Sequence, residues 1–161
     1  DERFLAAGST NGRVGVRPAG GRDALVVALG PSGDRDWTAQ WGAAGTDAVT
    51  AMVADGRTVF VAGTTDGPLG TLRTDLGPGG GRDAFVSALD AATGRVLFTS
   101  RFGTAGREEV SSLATTEDGL LVVGGTTDGT LTGATSAGGS DGFLVAFRLP
   151  GGGAGAAGSS V

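Results

Sequence analysis

The segment VFVAGTTDG, residues 59–67, decides the fold because it returns as LVVGGTTDG at residues 121–129. A looser copy, FLAAGSTNG, occupies residues 4–12. Asp66 of the first segment corresponds to Asp128 of the second, which gives a repeat length of 62 residues. Self-similarity at a fixed period of tens of residues is typical of propellers and solenoids. The sequence therefore predicts a chain built from repeated structural units.

A second repeated segment, in which an Asp opens an apolar run, follows a similar period. Its copies are GRDALVVALG at 21–30, GRDAFVSALD at 81–90 and GSDGFLVAFR at 139–148. Runs such as ALVVAL and TVFVAG place apolar residues on both faces of a strand, whereas a half-solvated strand alternates apolar and polar residues. Each predicted sheet must therefore be covered on both sides.

Each complete unit divides into four short predicted strands. In the unit 30–89 these strands are Asp36–Trp41, Ala48–Val53, Thr58–Gly63 and Asp83–Leu89. The middle two are joined through Asp55-Gly56, which favours a type I′ hairpin turn. Four antiparallel strands per repeat is the blade of a β-propeller. We therefore predict an all-β fold of about ten strands in about two and a half propeller-like blades, without long helices or parallel strands.

The repeats divide the chain into one repeat region and a tail. Residues 1–149 form the predicted propeller region, with a half-blade at 1–29, a blade at 30–89 and a second blade at 90–149. Residues 150–161, PGGGAGAAGSSV, have the composition of a flexible linker. A chain that starts within a repeat and carries such a tail suggests a fragment, a processed chain or a subunit of a larger assembly.

The run from Ala28 to Thr65, ALGPSGDRDWTAQWGAAGTDAVTAMVADGRTVFVAGTT, resembles the bacterial SBBP β-propeller repeat. The shared pattern is a turn ending in Trp, a Gly-rich loop, a strand start with Asp, and a V-x-V-x-G-x-T strand. The resemblance extends over about Phe4 to Leu149. It implies a ring of about seven blades in an exported bacterial protein, and hence an extracytoplasmic location.

The composition removes several kinds of chemistry. The chain contains no His, Cys, Lys or Tyr. It therefore lacks the usual base for a Ser nucleophile, a thiolate, a Schiff-base amine and the common Zn²⁺ ligands. The net charge of −5 argues against a nucleic-acid partner, and no apolar run reaches the ~20 residues of a membrane span. We predict no catalytic residues, no metal and no cofactor.

Acidic residues are the remaining candidates for a site. Asp66 and Asp128 could bind Ca²⁺, but that ion takes 6–8 oxygens from several groups, so turns are the favoured interpretation of both Thr-Thr-Asp-Gly segments. Asp23, Asp83 and Asp141 could supply carboxylate pairs for acid–base catalysis. Their recurrence in every unit favours instead an Asp that binds backbone amides at a blade edge. The rival interpretation is a hydrolase that uses a pair such as Asp66 with Asp83.

The aromatic residues also recur at equivalent positions. Trp37 and Trp41 lie four residues apart in a predicted strand, so both face one side. They could stack on a sugar. Phe98 and Phe102 stand at the equivalent positions of the next unit, which favours a role in the core between blades.

The segment ALDAATGRVLF, residues 88–98, resembles the A-x-D-x-x-T-G-x-x-x-W signature of blades in pyrroloquinoline-quinone dehydrogenases, with Phe98 in place of the Trp. The resemblance implies an element that docks one blade on another and has no catalytic role. From the residues themselves we expect a tight turn at Asp90–Gly94 followed by a return strand.

These features together predict a non-catalytic structural or protein-binding subunit in a larger extracytoplasmic assembly. Blades that are apolar on both faces need neighbours, and repeat arrays generally need about three units with polar caps. The open faces would be covered by another protein or the rest of a longer chain, and a homo-oligomer is also possible. The alternative function is a carbohydrate-binding or hydrolase propeller that uses Asp carboxylates.

Overall fold

The computed structural model describes residues 3–15, 18–70, 72–73, 80–131 and 138–149. Across these ranges the chain is all-β, with eleven strands in three sheets and no helix. Accordingly, no helix in these ranges is long and apolar enough to cross a membrane. The predicted Gly/Ala-rich tail at 150–161 lies outside the described residues.

The strands form three sheets in chain order. Sheet 1 contains β1 (Phe4–Thr10), β2 (Asp23–Leu29) and β3 (Arg35–Trp41), hydrogen-bonded in that order. Sheet 2 contains β4 (Asp47–Asp55), β5 (Thr58–Thr65), β6 (Leu72–Arg73), β7 (Asp83–Asp90) and β8 (Val96–Phe102), in the order β4-β5-β7-β8-β6. Sheet 3 contains β9 (Glu108–Thr115), β10 (Leu120–Thr127) and β11 (Asp141–Arg148), in the order β11-β10-β9.

Two predictions about strand pairing are wrong. The sequence predicts that segment 36–41 shares a sheet with the three strands that follow it, but β3 pairs with β2 in sheet 1. The cause is the short turn at 30–34, closed by a hydrogen bond of 2.8 Å from the Gly30 amide to the Asp34 carbonyl, which folds β3 back on β2. In addition, β6 pairs with β8 in parallel over two residues at the edge of sheet 2, where we expected antiparallel pairs throughout.

The predicted hairpin between β4 and β5 is confirmed, with a different turn type. Asp55 pairs with Thr58, which leaves a two-residue loop of Gly56 and Arg57. Gly56 has a φ of 57°, and no residue other than Gly has a positive φ in the described part of the chain. A type I′ turn needs positive φ at both central residues, so this loop follows the type II′ pattern with Gly in first place.

Two apolar clusters form the core, one on each face of sheet 2. Val59 and Val61 of β5 belong to the cluster shared with sheet 1, whereas Phe60 and Ala62 belong to the cluster shared with sheet 3. Successive residues of one strand therefore pack against different sheets, as the period of two requires. The prediction that each sheet is covered on both faces is confirmed for sheet 2.

The aromatic pairs fill these clusters, as predicted. Trp37 is buried between sheets 1 and 2 and donates its indole N–H to the Ala91 carbonyl at 3.2 Å. Phe102 is buried between sheets 2 and 3, where its ring meets Phe143 edge-on at 6.1 Å and Phe147 at 5.4 Å. The Trp37–Ala91 bond also shows that the turn at 90–94 contacts the neighbouring sheet.

Replacing Phe102 with Ala should lower the free energy of unfolding by about 3–5 kcal/mol, because it opens a cavity between two sheets. The control is Leu97→Ala on the same strand, where the side chain is 44% exposed. Its expected cost is about 1 kcal/mol or less. Urea denaturation followed by Trp fluorescence measures both. Equal losses for the two variants would show that Phe102 does not hold the sheets together.

Candidate functional site: paired buried carboxylates

Two carboxylates are buried side by side where the chain passes from sheet 1 to sheet 2. Asp23 opens β2 and Asp47 opens β4, and both have 0% exposure. A Cβ on Gly42, directly after β3, would lie 2.6 Å from an oxygen of Asp23 and 2.7 Å from an oxygen of Asp47. Both carboxylates thus converge on the backbone at Gly42, and we call these three residues the first junction.

The same arrangement recurs between sheets 2 and 3. Asp83 opens β7, Glu108 opens β9, and both are buried. A Cβ on Gly103 would collide with one oxygen of each. Gly103 follows β8 as Gly42 follows β3, so these three residues form an equivalent second junction. The repeat of the sequence is therefore also a repeat of paired buried acids.

The first acid of each pair is held by a backbone amide and by a side chain of the adjacent strand. Asp23 and Asp83 each accept an amide hydrogen bond of 3.1 Å from the preceding loop, as the sequence predicted. Gln40 donates its side-chain amide to Asp23 at 2.9 Å. At the equivalent position Arg101 forms an ion pair of 3.0 Å with Asp83. The second junction therefore contains a cation where the first contains a neutral amide.

The second acid of each pair is held by an amide four residues upstream and by a Thr hydroxyl. The amide hydrogen bonds measure 2.7 Å at Asp47 and 3.0 Å at Glu108. Thr65 donates to Asp47 at 2.5 Å, and Thr127 donates to Glu108 at 2.7 Å. Thr104 adds a third donor to Glu108 at 2.6 Å. Each carboxylate therefore ties the start of one strand to the end of the next.

The Thr-Thr-Asp-Gly segments form turns, as predicted, but the hydroxyl of the second Thr makes the local bond. The hydroxyl of Thr65 accepts the Gly67 amide at 3.1 Å, and that of Thr127 accepts the Gly129 amide at 3.0 Å. The same hydroxyls donate to the buried acids. These segments are thus both turns and donors of the two junctions.

Asp66, the other candidate in the first of these segments, is partly exposed and forms an ion pair of 3.1 Å with Arg82. Asp128 follows β10, and its amide donates to the Arg107 carbonyl at 3.0 Å. Asp141 opens β11 opposite Thr127. The acids that the structure brings together around one glycine are Asp23 with Asp47 and Asp83 with Glu108, a combination that the sequence analysis did not single out.

Burial is the main cause of the altered acidity at the first junction. It raises the pKa of Asp47, because the charged carboxylate loses water. Hydrogen bonds from Thr65 and the Ala43 amide lower that pKa, and the charges of Asp23 and Asp66 raise it. The net effect is a raised pKa, so Asp47 holds its proton more tightly than an exposed Asp.

This arrangement is suited to joining strands and poorly suited to binding a substrate or a metal. The carboxylate oxygens already accept N–H and O–H donors, which occupy the positions that a cation would need. A substrate cannot reach side chains with no exposed surface. Among the described residues, no three potential metal-ligating side chains come together.

Asp47 and Glu108 were missed because neither belongs to the most conspicuous repeated segments. A signal for them does exist in the sequence. Each lies five residues after the glycine of its junction, Gly42 or Gly103, and the acid is retained although the residue type changes. Because Asp47 and Glu108 share only the acidic group, this group indicates an equivalent electrostatic role in both repeats.

Adding a methyl group at either junction glycine should destabilise the chain. Gly42→Ala and Gly103→Ala should each lower the free energy of unfolding by roughly 1–3 kcal/mol, because the Cβ would overlap two buried carboxylates. Gly81→Ala is the control, since a Cβ there meets nothing within 4 Å, and it should change stability by no more than about 0.5 kcal/mol. Chemical denaturation measures all three. Three equal effects would contradict the assigned packing.

The raised pKa of Asp47 predicts an unusual pH dependence. Because the folded chain binds this proton more tightly, the contribution of Asp47 to stability is full at low pH. It is lost as pH rises from the ordinary value of 3.8 through the folded pKa. The difference in unfolding free energy between wild type and Asp47→Asn should therefore fall as pH rises above 3.8 and level off above the folded pKa.

Asp90→Asn supplies a control of opposite sign. The hydroxyl of Thr93 lowers the pKa of Asp90 below 3.8. The contribution of Asp90 is therefore present above that pH and is lost as pH falls through the folded pKa. Denaturant titrations at several pH values should give slopes of opposite sign for the two variants. A rising difference for Asp47→Asn would refute the assignment.

Comparison with known proteins gives a partial similarity. No known family model matches this sequence. In an alignment of 106 positions that covers 62% of the chain, the sequence is 34% identical to the regulatory protein FlaEY of Caulobacter vibrioides. The chain covers 11% of that protein. It is therefore similar to one segment of a much longer protein.

Proposed function

We propose that this chain is a non-catalytic structural and protein-binding module, built of β-propeller-type blades, that works within a larger assembly. The observation that carries the proposal is the recurrence of the same junction on both sides of sheet 2. Four buried acids, the most costly polar groups to bury, serve to connect strands and sheets. The residues that an enzyme of this composition would need are thus engaged in structure.

The arrangement of strands supports the assignment of blades. In sheet 2, β4-β5-β7-β8 is a four-stranded antiparallel sheet. Sheet 1 contains the equivalents of its last three strands, and sheet 3 contains the equivalents of its first three. Sheets stacked face to face with one repeating sequence are the construction of a propeller. The SBBP resemblance adds the proposed extracytoplasmic location.

The alternative, a sugar-binding or hydrolytic propeller, finds less support. A retaining or inverting glycosidase needs two carboxyl groups that flank a bound sugar, whereas the paired acids here are buried and bonded to donors. Stacking on a sugar needs an exposed aromatic ring. Trp37 lies in the core with 9% exposure. Neither the paired acids nor Trp37 is positioned for a soluble glycan.

Assays with chromogenic glycosides and titration with soluble glycans test this proposal. We expect no turnover and no change in Trp fluorescence. The variant Asp66→Asn probes the more exposed member of the suspected catalytic pair, and Asp118→Asn is its matched control at an exposed position. Turnover that disappears in Asp66→Asn and persists in Asp118→Asn, with both variants folded, would overturn the proposal.

A further inference from the structure

On one face of sheet 1, the side chains of β1 and β2 are apolar and no other described sheet covers them. These side chains point away from sheet 2, and we call this surface the leading face; its members are Phe4, Ala6, Leu25, Val27 and Leu29. Phe4 is 61% exposed, whereas the equivalent residue of sheet 2, Val59, has 0% exposure because sheet 1 covers it. The leading face is therefore a surface of the kind that is buried elsewhere in the same chain.

Sheet 3 also has a face that no other sheet in the described part of the chain covers, on the side away from sheet 2. The side chains that point away from sheet 2 form the trailing face, whose members are Val122, Gly124, Gly142, Leu144 and Ala146. Leu144 is 61% exposed, whereas Val86, its equivalent in sheet 2, is 2% exposed beneath sheet 3. Sheets 1 and 3 thus present two different apolar faces on their outer sides.

We propose that the trailing face of one copy packs on the leading face of a second copy, so that the contact between copies repeats the contact between sheets within a copy. The proposal rests on the proposed function, because it makes the module's own faces its protein-binding surface. The interaction is heterologous, so copies add head to tail and either close into a ring or extend as a filament.

The sizes of the side chains support a second copy as the occupant. Within the chain, the strand β7 carries the small residues Ala84 and Ala88 on the covered trailing face of sheet 2. The face that packs against it carries large ones, such as Phe143. The two free faces keep this rule. On the equivalent strands, Gly142 and Ala146 of β11 are small and Leu25 and Leu29 of β2 are large, so a second copy presents side chains of matching size at these positions.

The continuity of the interfaces gives a further argument. Both interfaces within the chain combine the same repeat positions, in one cluster between sheets 1 and 2 and in another between sheets 2 and 3. A third interface of the same kind needs a leading face next to sheet 3 or a trailing face next to sheet 1. This chain carries one of each, so identical copies satisfy both requirements.

Light scattering after size exclusion and sedimentation velocity, over a range of concentrations, test the proposal. The wild-type chain should associate as its concentration rises. Phe4→Asp and Leu144→Asp should each weaken that association at least tenfold, because each places a charge in an apolar interface. The control is Leu97→Asp, since Leu97 is exposed and its equivalent in sheet 1 is already Asp36. This control should associate as wild type does.

Mixing the two interface variants gives the sharpest result. Phe4→Asp retains an intact trailing face, and Leu144→Asp retains an intact leading face. A head-to-tail interface therefore predicts a 1:1 complex in the mixture that grows no further. Circular dichroism and thermal melts confirm that both variants fold.

Two outcomes would overturn the inference. A wild-type chain that stays monomeric at the highest soluble concentration would show that the faces do not bind a second copy, and would leave them to the sheets of a longer chain or another protein. Association that Leu97→Asp weakens as much as Phe4→Asp would show that the faces are not the contact. Neither outcome concerns turnover or glycan binding, so failure of this inference can be distinguished from failure of the proposed function.

Discussion

A buried carboxylate must be supplied with hydrogen-bond donors, and this requirement shapes both places where the chain passes between sheets. Removing an ionised acid from water costs several kcal/mol unless fixed donors replace the water. At Asp47 those donors are the Ala43 amide and the Thr65 hydroxyl, which belong to the preceding loop and the neighbouring strand. Satisfying one acid therefore fixes a loop, a strand start and a turn together.

The glycines and threonines of the repeat follow from the same requirement. Gly42 and Gly103 stand where two carboxylates approach the backbone, so a side chain would occupy the space of the oxygens. Thr65 and Thr127 each offer a hydroxyl that donates to an acid and accepts an amide in one position. The repeated Gly, Thr and acidic residues therefore contact one another at each junction.

The two junctions balance charge in different ways. Arg101 pairs with Asp83 and also donates to the Gly67 carbonyl at 3.1 Å, so the second junction holds its acids beside a cation. Gln40 stands at that position in the first junction and contributes donors without charge. With a neutral amide in this place, the repulsion between Asp23 and Asp47 adds to burial in raising the pKa of Asp47.

Features of the fold that depend on local pattern could be predicted from the sequence, whereas the pairing of strands could not. Apolar residues on both faces predicted the covered sheet 2, and the equivalence of Trp37 with Phe98 predicted a core position. The repeat length could not show which strands share a sheet, because a sequence repeat does not define where one structural unit ends and the next begins. Hydrogen bonding decided that β3 joins sheet 1.

The same limit explains why Asp47 and Glu108 escaped notice, since their importance lies in partners 18 and 19 residues away. A carboxylate and a distant Thr leave no short motif, and only the three-dimensional contact reveals the bond. The repeat did contain the information in a weaker form. Glu108 is longer than Asp47 by one methylene group, yet it accepts a hydrogen bond from the equivalent Thr hydroxyl. The repeat therefore keeps the acid and its donor although the residue type changes.

One strand in each sheet differs in residue size between its two faces, and this difference gives the stack a direction. In the equivalent strands β2 and β7, the small residues Ala24 and Ala84 lie on the face toward the next sheet, whereas the larger Leu25 and Phe85 lie on the opposite face. Two small faces would leave voids and two large faces would overlap, and both are unfavourable in a close-packed core. The packing of these strands therefore favours the one stacking direction seen for the three sheets. The directional rule that orders the three sheets within the chain applies equally to any further sheet of the same kind.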